Sequence, residues 1–193
     1  MEGATIKTVF LFGRPGSGKG TQAKLLAEGL GWGVFSTGDK FKELRDGGGR
    51  MGERVRAAYD AGKLVPDWFP SYLYEDALLA LAPEDGVVCE GFPRTVGQAE
   101  LAHDVLAWLE RPYRVLHLAV SEEESLRRML ERAKTEDRPD SNDEAKIRAR
   151  FETYAKQTEP VLDFFRTKGV LTDVNGEQTR EAILADIRKL IAA

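Results

Sequence analysis

Residues 13–21, GRPGSGKGT, combine the residue types that together bind phosphate groups. They follow the apolar run 9–12 and precede a helical pattern, so the order is strand, glycine-rich turn and helix. Glycines let backbone N–H groups point at an anion, and a helix that starts there adds the positive end of its dipole. Lys19 adds a mobile cation, and the hydroxyl of Thr21 comes one residue later than in the common G-K-[ST] ending. The sequence therefore predicts a phosphate-binding loop, and the alternative is a strand–turn–helix that binds nothing.

A second group of candidate residues follows the apolar run 87–89. Glu90 would end that strand, and a carboxylate at a strand end beside a phosphate-binding loop usually helps to hold Mg²⁺, directly or through water. Gly91 would let a ligand approach the backbone, and Arg94 could donate two parallel hydrogen bonds to a phosphate. A helix-capping or surface role for Glu90 and a surface ion pair for Arg94 are the alternatives.

A third group consists of arginines in the second half of the chain. They are Arg128, Arg132, Arg138, Arg148 and Arg150. The first two lie four residues apart and would share one helix face. Taken singly, each is more simply a solvated side chain. Taken as a set beside the polar segment 134–142, a candidate lid, they could surround a transferring phosphoryl group, which depends on electrostatic stabilisation.

These candidates need elements that bring them together, and apolar runs alternate with helical patterns along most of the chain. The predicted strands are 8–12, 34–36, 87–90, 114–120 and 170–174. The predicted helices are 19–30, 41–46, 52–61, 68–81, 95–109, 122–133, 143–168 and 179–191. This alternation predicts an α/β fold, with a mainly parallel sheet covered on both faces, whose ligands bind at the carboxyl ends of the strands. Pro160 predicts a kink or break in its helix.

Composition narrows the classes of function. The chain has 193 residues, 42% of them hydrophobic and 31% charged, which is typical of a soluble single domain. A net charge of -4 argues against nucleic-acid binding. The lone Cys89 excludes an internal disulfide and is predicted to be a buried strand thiol, while His103 and His117 are interpreted as structural. The absence of a signal segment and of a membrane-spanning run predicts a cytoplasmic protein without a membrane partner, most simply a monomer.

The motifs together resemble the adenylate kinase family. They are residues 13–22 (GRPGSGKGTQ), 36–39 (STGD), 62–65 (GKLV), 91–95 (GFPRT) with Gln98, and 138–140 (RPD). The resemblance extends from residue 8 to about residue 191. It implies a P-loop NTPase-type fold with a five-stranded parallel sheet flanked by helices. The implied single domain has a core (1–36, 66–133 and 143–193), an AMP-binding subdomain (37–65) and a short lid (134–142) without zinc-binding cysteines.

The resemblance also implies an activity and a set of site residues. The activity is reversible phosphoryl transfer from Mg·ATP to AMP, giving two ADP, with no zinc. The implied ATP-binding residues are Gly16, Ser17, Gly18, Lys19, Gly20, Thr21, Arg128, Arg132 and Gly176. The implied AMP-binding residues are Thr37, Lys42, Val65, Gly91, Arg94, Gln98, Arg138 and Arg150. The implied catalytic residues are Lys19, Arg94, Arg132, Arg138 and Arg150, with Glu90 binding Mg²⁺ through water and Thr21 as a second candidate for the metal.

Four positions depart from the family pattern. Lys42 stands where arginine is usual, so the charge remains without the two-pronged guanidinium, and Arg45 one turn later could compensate. Glu90 replaces an aspartate, Ser141 replaces a second aspartate after Asp140, and Asp137 replaces a glycine. None of these changes removes a group that handles the phosphoryl, so an active enzyme is expected.

The identity of the acceptor depends mainly on Gln98. An amide can donate to and accept from the edge of adenine at once, whereas relatives that prefer UMP and CMP tend to carry asparagine there. A UMP/CMP kinase of the same fold is therefore one alternative. A non-catalytic nucleotide-binding sensor is another, although it would not need the arginine set, and a kinase for a small metabolite would not need the 91–98 block.

Overall fold

The architecture is a five-stranded parallel sheet with helices packed on both faces. A computed structural model describes residues 5–60, 65–135 and 143–192, with the backbone alone at 59 and 60. The strands are β1 (Thr8–Phe12), β2 (Gly33–Ser36), β3 (Val87–Glu90), β4 (Tyr113–Ala119) and β5 (Leu171–Asn175). Their order across the sheet is β2-β3-β1-β4-β5, and every neighbouring pair is parallel. The predicted fold class is confirmed.

The helices occupy the connections between these strands, and the last helix follows β5. They are α1 (Lys19–Leu30), α2 (Thr37–Gly47), α3 (Gly49–Asp60), α4 (Trp68–Leu79), α5 (Val96–Trp108), α6 (Glu122–Ala133), α7 (Glu144–Thr153), α8 (Glu159–Thr167) and α9 (Arg180–Ala192). No helix in residues 5–60, 65–135 and 143–192 has the length and apolar character needed to cross a membrane.

Strand β1 is fully buried because it lies in the middle of the sheet, and its side chains supply both cores. Val9 and Leu11 face α1 and α9, while Phe10 and Phe12 face α4, α5 and α8. This explains the continuous apolar run at 9–12, since a central parallel strand is covered on both faces. A strand held this firmly provides a rigid start for the loop that follows it.

The carboxyl ends of β1, β2 and β3 are in register. Glu90 of β3 lies opposite Leu11 of β1 on one side and Ser36 of β2 on the other. Residues that follow these strands therefore meet at one edge of the sheet, as expected for a parallel α/β fold.

The predicted helix 143–168 is interrupted, as the sequence indicates. The α-helical pattern ends at Thr153, a π-helical turn covers Tyr154–Thr158, and α8 begins at Glu159 with Pro160 in its first turn. Proline has no N–H to donate and its ring crowds the preceding turn, so the hydrogen-bonding pattern changes before it. The interruption brings Thr158 to the backbone of Arg94, whose carbonyl accepts a hydrogen bond of 3.1 Å from its hydroxyl.

The start of helix α2, at the edge of the candidate site, differs from the predicted one. Helix α2 starts at Thr37 rather than at residue 41, because the hydroxyl of Ser36 accepts a hydrogen bond from the backbone N–H of Asp39 (3.2 Å). A serine followed three residues later by an acid is a helix-capping arrangement, so the STGD motif forms the first turn of a helix.

Candidate active site

The phosphate-binding loop, residues 13–21, joins β1 to α1 and packs directly against α6. Its turn is closed by the N–H of Ser17, which donates to the carbonyl of Arg14 (3.0 Å). Gly16 has φ 88°, and a Cβ there would lie 2.6 Å from the backbone oxygen of Ser125 in α6. Only glycine fits this position, for both conformational and steric reasons. The close packing of α6 places its arginines beside the loop.

Arg14 connects the phosphate-binding loop to two helices, a role that sequence reasoning missed. Its guanidinium pairs with Glu122 at the start of α6 (3.1 Å) and with Glu159 at the start of α8 (3.3 Å). It also lies over the ring of Phe151, 5.7 Å from the centroid. Both glutamates lie in the first turns of their helices. Nothing in the sequence indicates that either has a partner more than 100 residues away.

Lys19 is the first residue of α1, and its ammonium lies among charges of both signs. Burial lowers the pKa of Lys19 to about 8, the Glu90 carboxylate opposes this shift, and nearby arginines add to it. Those arginines are Arg94, Arg150 and Arg132, in decreasing order of effect. The Nζ of Lys19 lies 3.5 Å from the carbonyl oxygen of Arg14. Burial and repulsion by other cations are both unfavourable for a charged lysine, and a bound anion would offset them. The structure thus brings together five of the predicted residues.

Arg128 connects α6 to the phosphate-binding loop and to the residue that follows β5. Its Nε donates to Glu124 (2.6 Å), while Nη1 and Nη2 donate to the carbonyl oxygens of Ser17 (3.4 Å) and Gly176 (3.1 Å). Hydrogen bonds from Arg127 and then Arg128 lower the pKa of Glu124 to about 2, so this carboxylate stays charged. Arg128 and Gly176, both predicted to contact ATP, are therefore neighbours.

Glu90 is held in one orientation at the end of β3. Its Oε1 accepts a hydrogen bond of 2.7 Å from the hydroxyl of Ser36. Within the described part of the chain, no group of three or more His, Cys, Asp or Glu residues could hold a metal ion by itself. A single anchored carboxylate beside a phosphate-binding loop nevertheless suits Mg²⁺, which keeps several waters and takes its other ligands from phosphates. Thr21 is exposed on α1, so its assignment to the metal stays a prediction.

A second candidate site, the acceptor pocket, lies between α2, the start of α4 and the β3–α5 connection. It is lined by Thr37, Phe41, Val65, Pro70, Gly91, Arg94 and Gln98. Five of these, all except Phe41 and Pro70, are residues that the sequence assigned to AMP. The volume is about 20 Å³, room for about one water molecule, so a nucleotide must widen the pocket to enter.

Internal hydrogen bonds keep the acceptor pocket narrow. The carbonyl oxygen of Gly91 accepts from the hydroxyl of Thr37 (2.7 Å) and from Nε of Arg94 (2.7 Å). Gly91 has φ 77°, and a Cβ there would lie 2.5 Å from the Thr37 hydroxyl, so only glycine allows this packing. Arg94 is thereby held by its own backbone segment, and a bound phosphate would have to compete for it.

Two apolar residues of this pocket were missed. Phe41 stacks on Phe69 with ring centroids 5.9 Å apart, and Pro70 belongs to the first turn of α4. An aromatic residue among the charged residues of α2 was the available signal. Lys42 next to it is exposed and does not line the pocket, so its assignment to AMP stays a prediction. Arg45, the proposed compensating residue, pairs with Asp46 (3.0 Å).

Four further candidates remain. Arg138, Asp137 and Ser141 fall outside the described residues. Arg148 pairs with Glu144 (2.7 Å) on the exposed face of α7.

Both histidines lie within hydrogen-bonding distance of neighbouring side chains. His103 contacts the hydroxyl of Tyr113 (2.8 Å), and His117 contacts the carboxylate of Asp173 (2.6 Å). Cys89 is completely buried in β3, and burial raises the pKa of its thiol. The predicted buried strand thiol is therefore found in place.

Comparison with known proteins gives a consistent result. A family model described as adenylate kinase matches residues 11–170. An adenylate kinase of Maricaulis maris is 39% identical over 182 residues, covering 93% of this chain and 95% of the relative. Adenylate kinases of a Cyanothece species (39%; 95% and 94% covered) and of Thermus thermophilus (40%; 94% and 95% covered) are similarly related. The alternative functions considered from the sequence gain no support from these relatives.

Proposed function

This chain belongs to the adenylate kinase family, and we propose that it reversibly transfers the γ-phosphoryl group of ATP to AMP, giving two ADP. The names of its relatives and the agreement between the predicted residues and the two candidate sites support this activity. The reaction requires two nucleotide sites that meet where the phosphoryl group passes between them.

The observation that carries the proposal is the position of Arg94. This residue lines the acceptor pocket, and its positive charge also helps to lower the pKa of Lys19 on the phosphate-binding loop. A residue that belongs to both sites can contact the phosphoryl group in either of its two positions. A protein that only bound ATP would have no use for a cation that faces a second pocket.

On the donor side, the backbone of the phosphate-binding loop and Lys19 would bind the phosphates of ATP. Arg128 and the backbone of Gly176 would contact its base. Bound phosphate would raise the lowered pKa of Lys19 again and so keep the ammonium charged. The hydroxyl of Ser17 in the same loop is completely buried and has no hydrogen-bond partner among the described residues.

Members of this family generally work on Mg·ATP, and the anchored carboxylate fits such an ion. Glu90 would hold Mg²⁺ through water, and Thr21 is the second candidate. When bound, the ion supplies positive charge to the β- and γ-phosphates.

On the acceptor side, Arg94 would exchange the carbonyl of Gly91 for the phosphate of AMP. Thr37, the backbone of Val65 and the amide of Gln98 would contact the nucleoside. Arg132 and Arg150, whose charges reach Lys19, would stabilise the negative charge on the phosphoryl group during transfer. Arg138 is assigned the same role from the sequence. The segments 37–65 and 134–142 would close to exclude water, which could otherwise accept the phosphoryl group.

The decisive experiment offers the purified protein several acceptors. Mg·ATP is mixed with AMP, GMP, UMP, CMP or dTMP, or with no acceptor, and the nucleoside diphosphates are measured. We expect fast formation of ADP with AMP alone and little ATP hydrolysis without an acceptor. Faster transfer to UMP or CMP would overturn the choice of acceptor. Binding of ATP without transfer to any acceptor would overturn the proposed reaction.

We also propose that the enzyme is a cytoplasmic monomer with ATP, AMP and ADP as its small-molecule substrates and without a nucleic-acid or membrane partner. The net charge of -4 argues against nucleic-acid binding, and a small single-domain kinase is most simply a monomer. Size-exclusion chromatography with light scattering should give a mass near the 21.5 kDa of the chain.

A further inference from the structure

The side chain of Gln98 is buried at the acceptor pocket, and both ends of its amide are hydrogen-bonded. It is 3% exposed. Its Oε1 accepts from the backbone N–H of Arg94 (2.8 Å), and its Nε2 donates to Oδ1 of Asp67 (3.1 Å). Asp67 has no role in the proposed reaction and was not a candidate from the sequence.

The chemistry of these two partners fixes which way the amide points. A backbone N–H can only donate, and a carboxylate can only accept. Turning the amide over would place its NH₂ group against the N–H of Arg94 and its oxygen against the carboxylate of Asp67. Both contacts would then be repulsive.

Asp67 is itself held in place from α5. Its Oδ2 accepts a hydrogen bond of 2.6 Å from the hydroxyl of Thr95. The same hydroxyl caps α5 by accepting from the backbone N–H of Gln98 (3.4 Å). Asp67, Thr95 and Gln98 thus form a closed cluster that joins the segment before α4 to the start of α5.

The orientation of the amide decides what it can offer to a base. With one N–H and one lone pair already used, Gln98 keeps one N–H on Nε2 and one lone pair on Oε1. Adenine presents an acceptor at N1 and a donor at N6, which match this pair. Hypoxanthine has the same shape but carries a hydrogen on N1 and an oxygen at position 6, so both contacts would be repulsive.

We propose that Asp67 is a positioning residue that makes the acceptor site selective for the hydrogen-bonding pattern of adenine, by holding the Gln98 amide in one orientation. The proposal rests on the proposed function for the identity of the pocket. Because Asp67 is exposed, water competes for its carboxylate and the effect should be moderate. The backbone N–H of Arg94 also holds the Gln98 amide in this orientation, so loss of Asp67 should weaken the selectivity without abolishing it.

The test compares AMP with IMP, whose base is hypoxanthine. Dissociation constants for both are measured by calorimetry on the wild type, Asp67→Asn and Asp67→Leu. Asparagine keeps the shape but can pair with Gln98 in either orientation, whereas leucine removes the acceptor. Asp76→Asn, an exposed carboxylate on α4, is the matched control.

We expect the preference for AMP over IMP to fall about threefold in Asp67→Asn and about tenfold in Asp67→Leu, with ATP binding and the control unchanged. A structural role would instead weaken both acceptors in proportion or lower the melting temperature alone. A preference within the error of the wild type in both folded variants would overturn the inference.

Turnover assays on the same variants separate this inference from the proposed function. If the wild type converts AMP to ADP but the variants keep its preference, the role of Asp67 is wrong and the reaction stands. If the variants lose the preference in binding but the wild type transfers no phosphoryl group, the reaction is wrong and the role of Asp67 stands.

Discussion

The donor and acceptor sides of the candidate site are built in different ways. The donor side is a backbone loop between β1 and α1, packed against α6 at Gly16 and tied by Arg14 to two helices. The acceptor side is built from side chains that are hydrogen-bonded to nearby backbone groups around a pocket of about 20 Å³. In the structure, Arg94 and Gln98 already have partners there.

The difference indicates where binding energy is used. A backbone loop can receive phosphate with little rearrangement, because its N–H groups are fixed by covalent geometry and packing. The acceptor pocket must widen and exchange internal hydrogen bonds for bonds to the nucleotide, so part of the interaction energy offsets that change. Changes on the donor side should therefore affect turnover as well as ATP binding, whereas those on the acceptor side should mainly change the affinity for AMP.

The largest expected effect is that of Lys19→Met. It removes the central cation of the donor side but keeps a long side chain, and turnover should fall by about 100- to 1,000-fold, as for other groups that stabilise charge in a transition state. Lys24→Met is the control, an exposed lysine on the same helix that should retain full activity. Steady-state kinetics with Mg·ATP and AMP give both values. A near-normal rate for Lys19→Met would contradict the role given to Lys19 on the donor side.

A smaller effect follows from the lowered pKa of Lys19. The ammonium loses its proton as the pH rises through about 8, so the charged form that attracts phosphate becomes scarce above that pH. The apparent affinity for Mg·ATP should fall about tenfold from pH 7.5 to pH 9.5, and binding at the higher pH should take up protons. Calorimetry in buffers of different ionisation enthalpy measures both. Lys19→Met should have a flat profile, and a flat profile in the wild type would contradict the assignment.

The smallest effect concerns Lys42, where the family usually has arginine. Lys42→Arg would restore a guanidinium that can donate two parallel hydrogen bonds, so the Michaelis constant for AMP should fall about threefold with turnover unchanged. Lys40→Arg, exposed on the same helix, is the control. An unchanged constant for AMP would indicate that Lys42 does not contact the phosphate or that Arg45 already serves it.

Much of the fold and the donor side could be predicted because both depend on local patterns. The run 9–12, the glycines that follow and the cation at Lys19 are consecutive in the sequence, so their geometry is largely decided over short distances. The sequence did not predict the early start of α2, because that start depends on a single capping hydroxyl, that of Ser36. The same hydroxyl also donates a hydrogen bond to Glu90.

The residues that sequence reasoning missed are those whose partners are distant. Arg14 pairs with a glutamate 145 positions away, and Asp67 reaches Gln98 31 positions away. Neither pair has a spacing rule, since only the tertiary fold brings them together. Motifs indicated the residues that we propose to contact nucleotides, whereas the groups that hold those residues in place required the structure.

The burial of Cys89 has a practical consequence for experiments on motion. This thiol is the only one in the chain, it is completely buried, and its raised pKa leaves little of the reactive thiolate. Maleimide dyes or spin labels should therefore leave the native protein largely unmodified. A cysteine introduced at an exposed position such as Trp108, which is 80% exposed, would be labelled selectively without first replacing Cys89. Distances between pairs of such labels could then be followed as each nucleotide is added.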